Sequence, residues 1–274
     1  MRINSNIAAL NASRNLSVSQ SQLGKSLEKL SSGYRINRAA DDAAGLAISE
    51  GLRSEIRGSA QAQRNAQDGI SFLQTAEGAL TEVHSMLQRM RELAVQAANS
   101  TSDGSAEGGE VAELAKEVTA IGARTKFSGI AVFSDFSTTA LNFQVSSNSA
   151  TTEQVSININ LSLAATSVGG VDLTALDLST DTGAQAALDS LDTAIKSVST
   201  TRATLGSVQN RLEHTVANLG VAVENLTASE SRIRDVDMAD EMVNYTRNSI
   251  LSQAGTAMLA QANQVPQSIL QLLR

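Results

Sequence analysis

Cysteine and tryptophan are absent from this chain of 274 residues, and Pro266 is its one proline. Without cysteine there is neither a disulfide framework nor a thiolate metal site. Aromatic residues make up 3%, too few for the bulky cores that ordinary globules build. A single proline leaves long helices uninterrupted. Basic clusters are missing as well, and a net charge of −7 makes the chain a poor binder of nucleic acid. No window is long and apolar enough for a membrane span, so no membrane insertion is expected. The opening MRINSNIAALNASRN has no apolar h-region, and a Sec-type signal is not expected. Charge itself is missing from one long stretch. Between Arg247 and Arg274, residues Asn248 to Leu273 carry none. A helix with only Asn, Gln, Ser and Thr on its outer face is one surrounded by other protein, which implies a partner.

Ala, Leu, Ile and Val fill the place of the missing aromatics, a composition suited to long helices packed side by side. Residues 101–200 hold twelve acids against four bases, whereas the two flanks together are nearly neutral. The middle is therefore expected to face solvent and the ends to pack.

Along the chain, residues 4–32 read as a helix with Ile3, Ile7, Leu10, Leu16, Leu23, Leu27 and Leu30 at helical spacing and Asn4 or Asn6 as cap. Residues 31–45 form a connector, with Gly33 suited to a helix C-cap and Asp41 and Asp42 to the next helix start. Residues 43–100 read as one helix. Ala66, Ile70, Leu73, Ala76, Leu80, Val83, Leu87, Met90, Ala94 and Ala97 step by three and four, which is a coiled-coil seam. Unbroken, it would span about 87 Å, implying a rod. A turn at 101–109 leads to a helix from Glu110 to Arg124, with Val111, Leu114, Val118 and Ile121 inward. Leu141, Phe143, Val145 and Val155, Ile157, Ile159 alternate with polar residues and predict a β-hairpin near 141–160. Helix returns near Gly183, its seam running Leu191, Ile195, Val198, Leu205, Leu212, Val216, Leu219, Val223, Leu226, with Arg202 and Gln209 as polar seam positions. Ser229 or Asp235 is the expected start of the last helix. The fold class is thus mainly α: a long antiparallel coiled-coil rod with a small β-hairpin region, and terminal helices brought side by side.

These residues closely resemble bacterial flagellin. The resemblance is carried by MRINSNIAALNASRNL, by LEKLSSGYRINRAADDAAGLAISE at 27–50 and by RNAQDGISFLQTAEGALTEVHSMLQRMRELAVQAAN at 64–99. It continues in VQNRLEHTVANL, ENLTASESRIRDVDMADEM and ILSQAGTAMLAQANQVPQSILQLL, in order, at both ends of the chain. It implies a subunit of the flagellar filament, exported unfolded by the flagellar type III system and located outside the cell. The implied domains are a terminal core helix and connector at 1–42, a helical rod at 43–230 and a second core helix at 231–274. Only about 20 residues separate the hairpin from the returning helix, so no separate outer domain is expected. A hook–filament junction protein, which has similar ends, is the alternative, and the match at 27–50 and 224–273 favours flagellin.

The implied partners are further copies of the chain, an export chaperone at the C-terminal helix, the filament cap, the hook-junction proteins and the Toll-like receptor for flagellin. The receptor segment resembles QRMRELAVQ, with Arg89, an exposed Leu93 and Glu110 as contacts. Filament-core packing is expected of Ile3, Ile7, Leu10, Leu23, Leu27 and Leu30, and of Ile250, Leu251, Met258, Leu259, Ile269, Leu270 and Leu273. No enzymatic role is expected. His84 and His214 are the only histidines, neither has a second histidine at ligand spacing, and HExxH is absent, so no metal or cofactor is expected. The carboxylate pairs Asp41/Asp42 and Asp235/Asp237 read as helix caps rather than acid–base machinery.

Overall fold

The computed structural model describes residues 6–99, 104–133, 141–147, 154–157 and 168–272, the side chains of Ile157 and of residues 265–272 excepted. Five helices carry the described chain: α1 (Ile7–Ser32), α2 (Ala43–Ala97), α3 (Ser105–Arg124), α4 (Asp181–Arg234) and α5 (Met238–Leu272). Two small antiparallel hairpins accompany them, β1 (Lys126–Phe127) with β2 (Ile130–Ala131) and β3 (Leu141–Gln144) with β4 (Gln154–Ile157). The mainly α class is what the three-four spacing predicts. The chain divides into two compact units, Met1–Ile56 with Glu224–Arg274, and Arg57–Val223.

The core of the second unit is the seam. Leu73, Leu80, Val83, Leu87, Met90 and Ala94 of α2 are buried with Leu191, Val198, Leu205 and Leu212 of α4 and Val111, Ala115 and Val118 of α3. Within this unit α2 and α4 run antiparallel, as ion pairs from Arg91 to Asp192 (2.6 Å) and from Arg202 to Glu77 (3.4 Å) require. Each buried leucine contributes roughly 1.5–3 kcal/mol relative to exposure. Phe72 ties both hairpins to α2: its ring lies 5.9 Å from that of Phe127, edge-on, and 6.2 Å from that of Phe143. The β3–β4 register pairs Phe143 with Val155, as the alternation predicts. Ile159 lies outside the described residues. The β1–β2 hairpin has no counterpart in the alternation pattern. Its turn is Ser128-Gly129, with φ of 49° and 85°, the mirror-image geometry that suits strand twist.

Several boundaries differ from expectation. α3 begins at Ser105 rather than Glu110, because Gly104, at φ 66°, turns the chain into it and Glu107 sits in its first turn. Gln209 is not a seam residue. Val208 is buried in that layer, and the Gln209 amide donates along the helix to Glu213 (2.9 Å). Neither Ser229 nor Asp235 starts the last helix. Ser229 lies inside α4, its hydroxyl donating to the Asn225 carbonyl, and the Asp237 carboxylate caps α5 by accepting from the Ala239 N–H (2.9 Å).

In the first unit α1 and α5 lie antiparallel. The Asn6 amide donates to the Ala262 carbonyl (2.7 Å), Gly255 packs on Leu16, and Lys29 pairs with Glu241 (3.8 Å). Asn6 also caps α1, its side chain accepting from the Ala9 N–H (3.1 Å). Gly33 ends the helix at φ 75°.

Candidate functional site

Two features of the first unit concern function: the connector that joins its helices and the faces those helices leave uncovered. The connector is ordered by hydrogen bonds. Asp42 caps α2 by accepting from the Gly45 N–H (2.9 Å), whereas Asp41 turns back and accepts from the N–H groups of Arg38 (3.0 Å) and Asn37 (3.2 Å). Those donors hold the Asp41 carboxyl below its ordinary pKa, the Arg38 N–H contributing most. Gly33, Tyr34 and Arg35 then pair with the turn between α4 and α5. The Arg35 N–H donates to the Arg234 carbonyl (2.6 Å), the Val236 N–H donates to the Gly33 carbonyl (3.1 Å), and Tyr34 bridges Asp235. The Arg234 guanidinium stacks on the Tyr34 ring and donates to Glu50 (3.0 Å), which keeps the Glu50 carboxyl below its ordinary pKa. The two interhelix turns of this unit are thereby sewn to each other.

The terminal pair buries little by itself. Of the residues expected to pack in a filament core, Leu23, Leu30 and Leu259 are half-buried, while Ile7, Leu10, Leu27, Ile250, Leu251 and Met258 are exposed, Ile250 at 60%. Ile3 and Leu273 lie outside the described residues. Ile269 and Leu270 belong to α5, with side chains outside the described set. On α5, Met242, Val243, Thr246, Arg247, Ile250 and Leu251 line a shallow, mostly apolar groove of about 490 Å³. An apolar surface of this kind on a helix with no charge beyond Arg247 raises the free energy while it faces water and lowers it on burial.

In the second unit, Arg89 donates to Glu110 of α3 (2.9 Å) and pairs with Glu92 (3.4 Å). Both carboxylates raise the Arg89 pKa, Glu110 the more. Leu93 corrects an expectation. It is 3% exposed, not an outward anchor. Arg89, Leu93 and Gln96 share a helix face, and α3 covers that face at both ends through Glu110 to Arg89 and Glu107 to Gln96 (2.9 Å). Val95, beside it, is the exposed apolar residue. His84 contacts Gln88 one turn on (3.0 Å), and His214 is exposed. Among the described residues no group of acidic or histidine side chains could hold a metal ion, and no helix is long and apolar enough to cross a membrane.

The family model of the bacterial flagellin N-terminal helical region matches residues 3–138, and that of the C-terminal helical region matches residues 188–273. The chain is similar to the flagellin of Halalkalibacterium halodurans, 53% identical over the whole of both chains, and to that of Bacillus subtilis, 52% identical over the whole of both. It is 47% identical, again over both whole chains, to the flagellar filament 33 kDa core protein of Treponema phagedenis. Among solved structures, the crystal structure of Bacillus cereus flagellin aligns with a TM-score of 0.47 at 30% identity, covering 57% of this chain and 88% of that one.

Proposed function

The chain belongs to the bacterial flagellin family, a structural family rather than an enzymatic one, and from that premise we propose how it builds the filament. The chain is a filament subunit. Its copies join through the apolar faces that α1 and α5 leave open, so that Ile7, Leu10, Leu27, Ile250, Leu251 and Met258 become buried only in the polymer. The exposure of these residues on a paired, sparsely charged helix couple is the observation that carries the reading. Burial of apolar area drives the association, and the seam of the second unit lends each copy a core that needs no neighbour.

The same reading extends to the life of the subunit before assembly. The chain travels unfolded through the flagellar type III channel. An export chaperone covers the uncharged face of α5 until then, since an open apolar helix is an aggregation hazard. The cap and the hook-junction proteins meet the same terminal helices at the two ends of the filament. The innate immune receptor for flagellin reads the Arg89–Glu110 pair, which stands half-exposed on adjoining helices.

Ile250→Asp in the full chain tests the assembly surface. Wild-type protein, seeded with filament fragments, should sediment as filaments. The variant should stay in the supernatant while keeping the thermal transition of the second unit, because burying a carboxylate in the apolar interface carries a desolvation cost that Arg247 beside it offsets only in part. Filament growth by Ile250→Asp at the wild-type concentration would refute the reading.

A further inference from the structure

The methionines divide sharply by environment. Met90 is 0% exposed within the seam, and Met86 is partly buried against it. By contrast Met238, Met242 and Met258, all on α5, are 49%, 48% and 64% exposed. Met238 and Met242 are one turn apart on one face, and Met242 lines the apolar groove with Val243 and Ile250. Met258 falls seven residues after Leu251, two turns along on that residue's face. The chain thus places every described exposed thioether on the helix whose apolar surface is to be covered.

We propose that Met238, Met242 and Met258 are an oxidation site that governs whether a subunit can assemble. The proposal rests on the reading that the open face of α5 becomes a contact between copies. The oxidant is a peroxide. Hydrogen peroxide delivers one oxygen atom: the sulfur lone pair forms the S–O bond, the O–O bond breaks, and water leaves with both protons. The thioether is oxidised to sulfoxide and the peroxide is reduced. The product keeps the length of the side chain but carries a strong dipole and an acceptor oxygen. On a free subunit that oxygen is solvated. In a contact between copies it exchanges water for a groove whose Val243, Ile250 and Leu251 offer no donor and whose Thr246 hydroxyl already donates to the Met242 carbonyl (2.8 Å), which leaves Arg247 to satisfy it in part. Oxidation therefore leaves the free subunit folded and opposes its incorporation. Burial in the filament shields the same sulfurs, so the site is open only before assembly.

The test uses full-length subunit treated with graded hydrogen peroxide, peptide mapping by mass spectrometry, and seeded assembly read by sedimentation. Sulfoxide should accumulate at Met238, Met242 and Met258 ahead of Met86 and Met90. The concentration needed for growth should rise by about tenfold or more, in line with burying a polar group satisfied only in part. Treatment with a pair of methionine sulfoxide reductases, one for each sulfur epimer, should restore growth. The triple variant Met238→Leu, Met242→Leu, Met258→Leu should grow equally well before and after peroxide. Growth of oxidised wild type at the untreated concentration, or earlier oxidation of Met90, would overturn the proposal. So would failure of the reductases to restore growth, a measurement that holds even if the triple variant does not polymerise. Should Ile250→Asp block growth while sulfoxidation does not, the assembly surface stands and the oxidation site falls. If Ile250→Asp grows normally, the assembly surface itself is wrong.

Discussion

The guanidinium of Arg234, the last residue of α4, lies 4.7 Å from the centroid of the Tyr34 ring, in the connector that follows α1. The contact joins residues two hundred positions apart and puts a cation on an aromatic face, while the same side chain reaches Glu50. Its side chain is 12% exposed, so both interactions are partly screened from water.

Removing that group should unlock the connector. Arg234→Ala is expected to destabilise the first unit by about 1–2 kcal/mol and to speed proteolytic cleavage within residues 33–42. Arg234→Lys should recover only a fraction, since an ammonium keeps the charge but neither stacks flat nor forks. Timed proteolysis of the three proteins measures this. Equal cleavage of wild type and Arg234→Ala would show that the backbone pairing alone holds the turns together.

At the second unit, stability and surface recognition should separate cleanly. Leu93→Ala removes a buried side chain and should cost about 2–5 kcal/mol in urea unfolding. Arg89→Ala breaks a half-exposed pair and should cost about 0–1 kcal/mol. In a receptor reporter assay, loss of response with Arg89→Ala would therefore mark a contact, whereas loss with Leu93→Ala would follow from unfolding. Comparable midpoints for the two variants would contradict the burial of Leu93.

Acid should loosen the connector. Backbone N–H donation from Arg38, then from Asn37, lowers the Asp41 pKa, and donation from Arg234 lowers that of Glu50. A carboxyl whose folded pKa is depressed contributes stability that is complete above its unfolded value, near pH 4, and is lost as pH falls through the lower folded value. Stability from these two groups should thus be flat from neutral pH down to about 5 and decline below about 4. Asp41→Asn keeps an acceptor oxygen and removes the titration, so its acid decline should be shallower. Circular dichroism at stepped pH measures both, and parallel acid limbs would exclude Asp41 as a contributor.

Much of the architecture was legible because one physical signal dominates it. Apolar residues at steps of three and four define α2 and α4, and the buried set from Leu73 to Ala94 follows that spacing, Leu93 excepted. Caps were legible where the side chain is short and polar, as at Asn6 and Asp42. Periodicity on one helix does not report how many neighbours that helix has. Leu93 stands one position off the seam and reads as exposed until α3 is laid over it. The β1–β2 hairpin has strands of two residues, too short for alternation to register, and only the Ser128-Gly129 turn signals it. The link from Arg234 to Tyr34 depends on two distant turns meeting, which no local pattern encodes. The terminal helices were legible for a different reason, since absence of charge over a long stretch is itself a pattern.

The scarcity of aromatic rings gives the molecule a built-in optical division. Its two tyrosines, Tyr34 and Tyr245, both belong to the unit formed by the chain ends, and its five phenylalanines all fall within Arg57–Val223. With no tryptophan to dominate the spectrum, tyrosine emission comes from the terminal unit alone. One of those two fluorophores lies under a guanidinium, and the other rides on α5 near its uncovered groove. The unlabelled protein is therefore its own spectroscopic probe: tyrosine emission reports on the helices proposed to meet other subunits, and the seam stays dark.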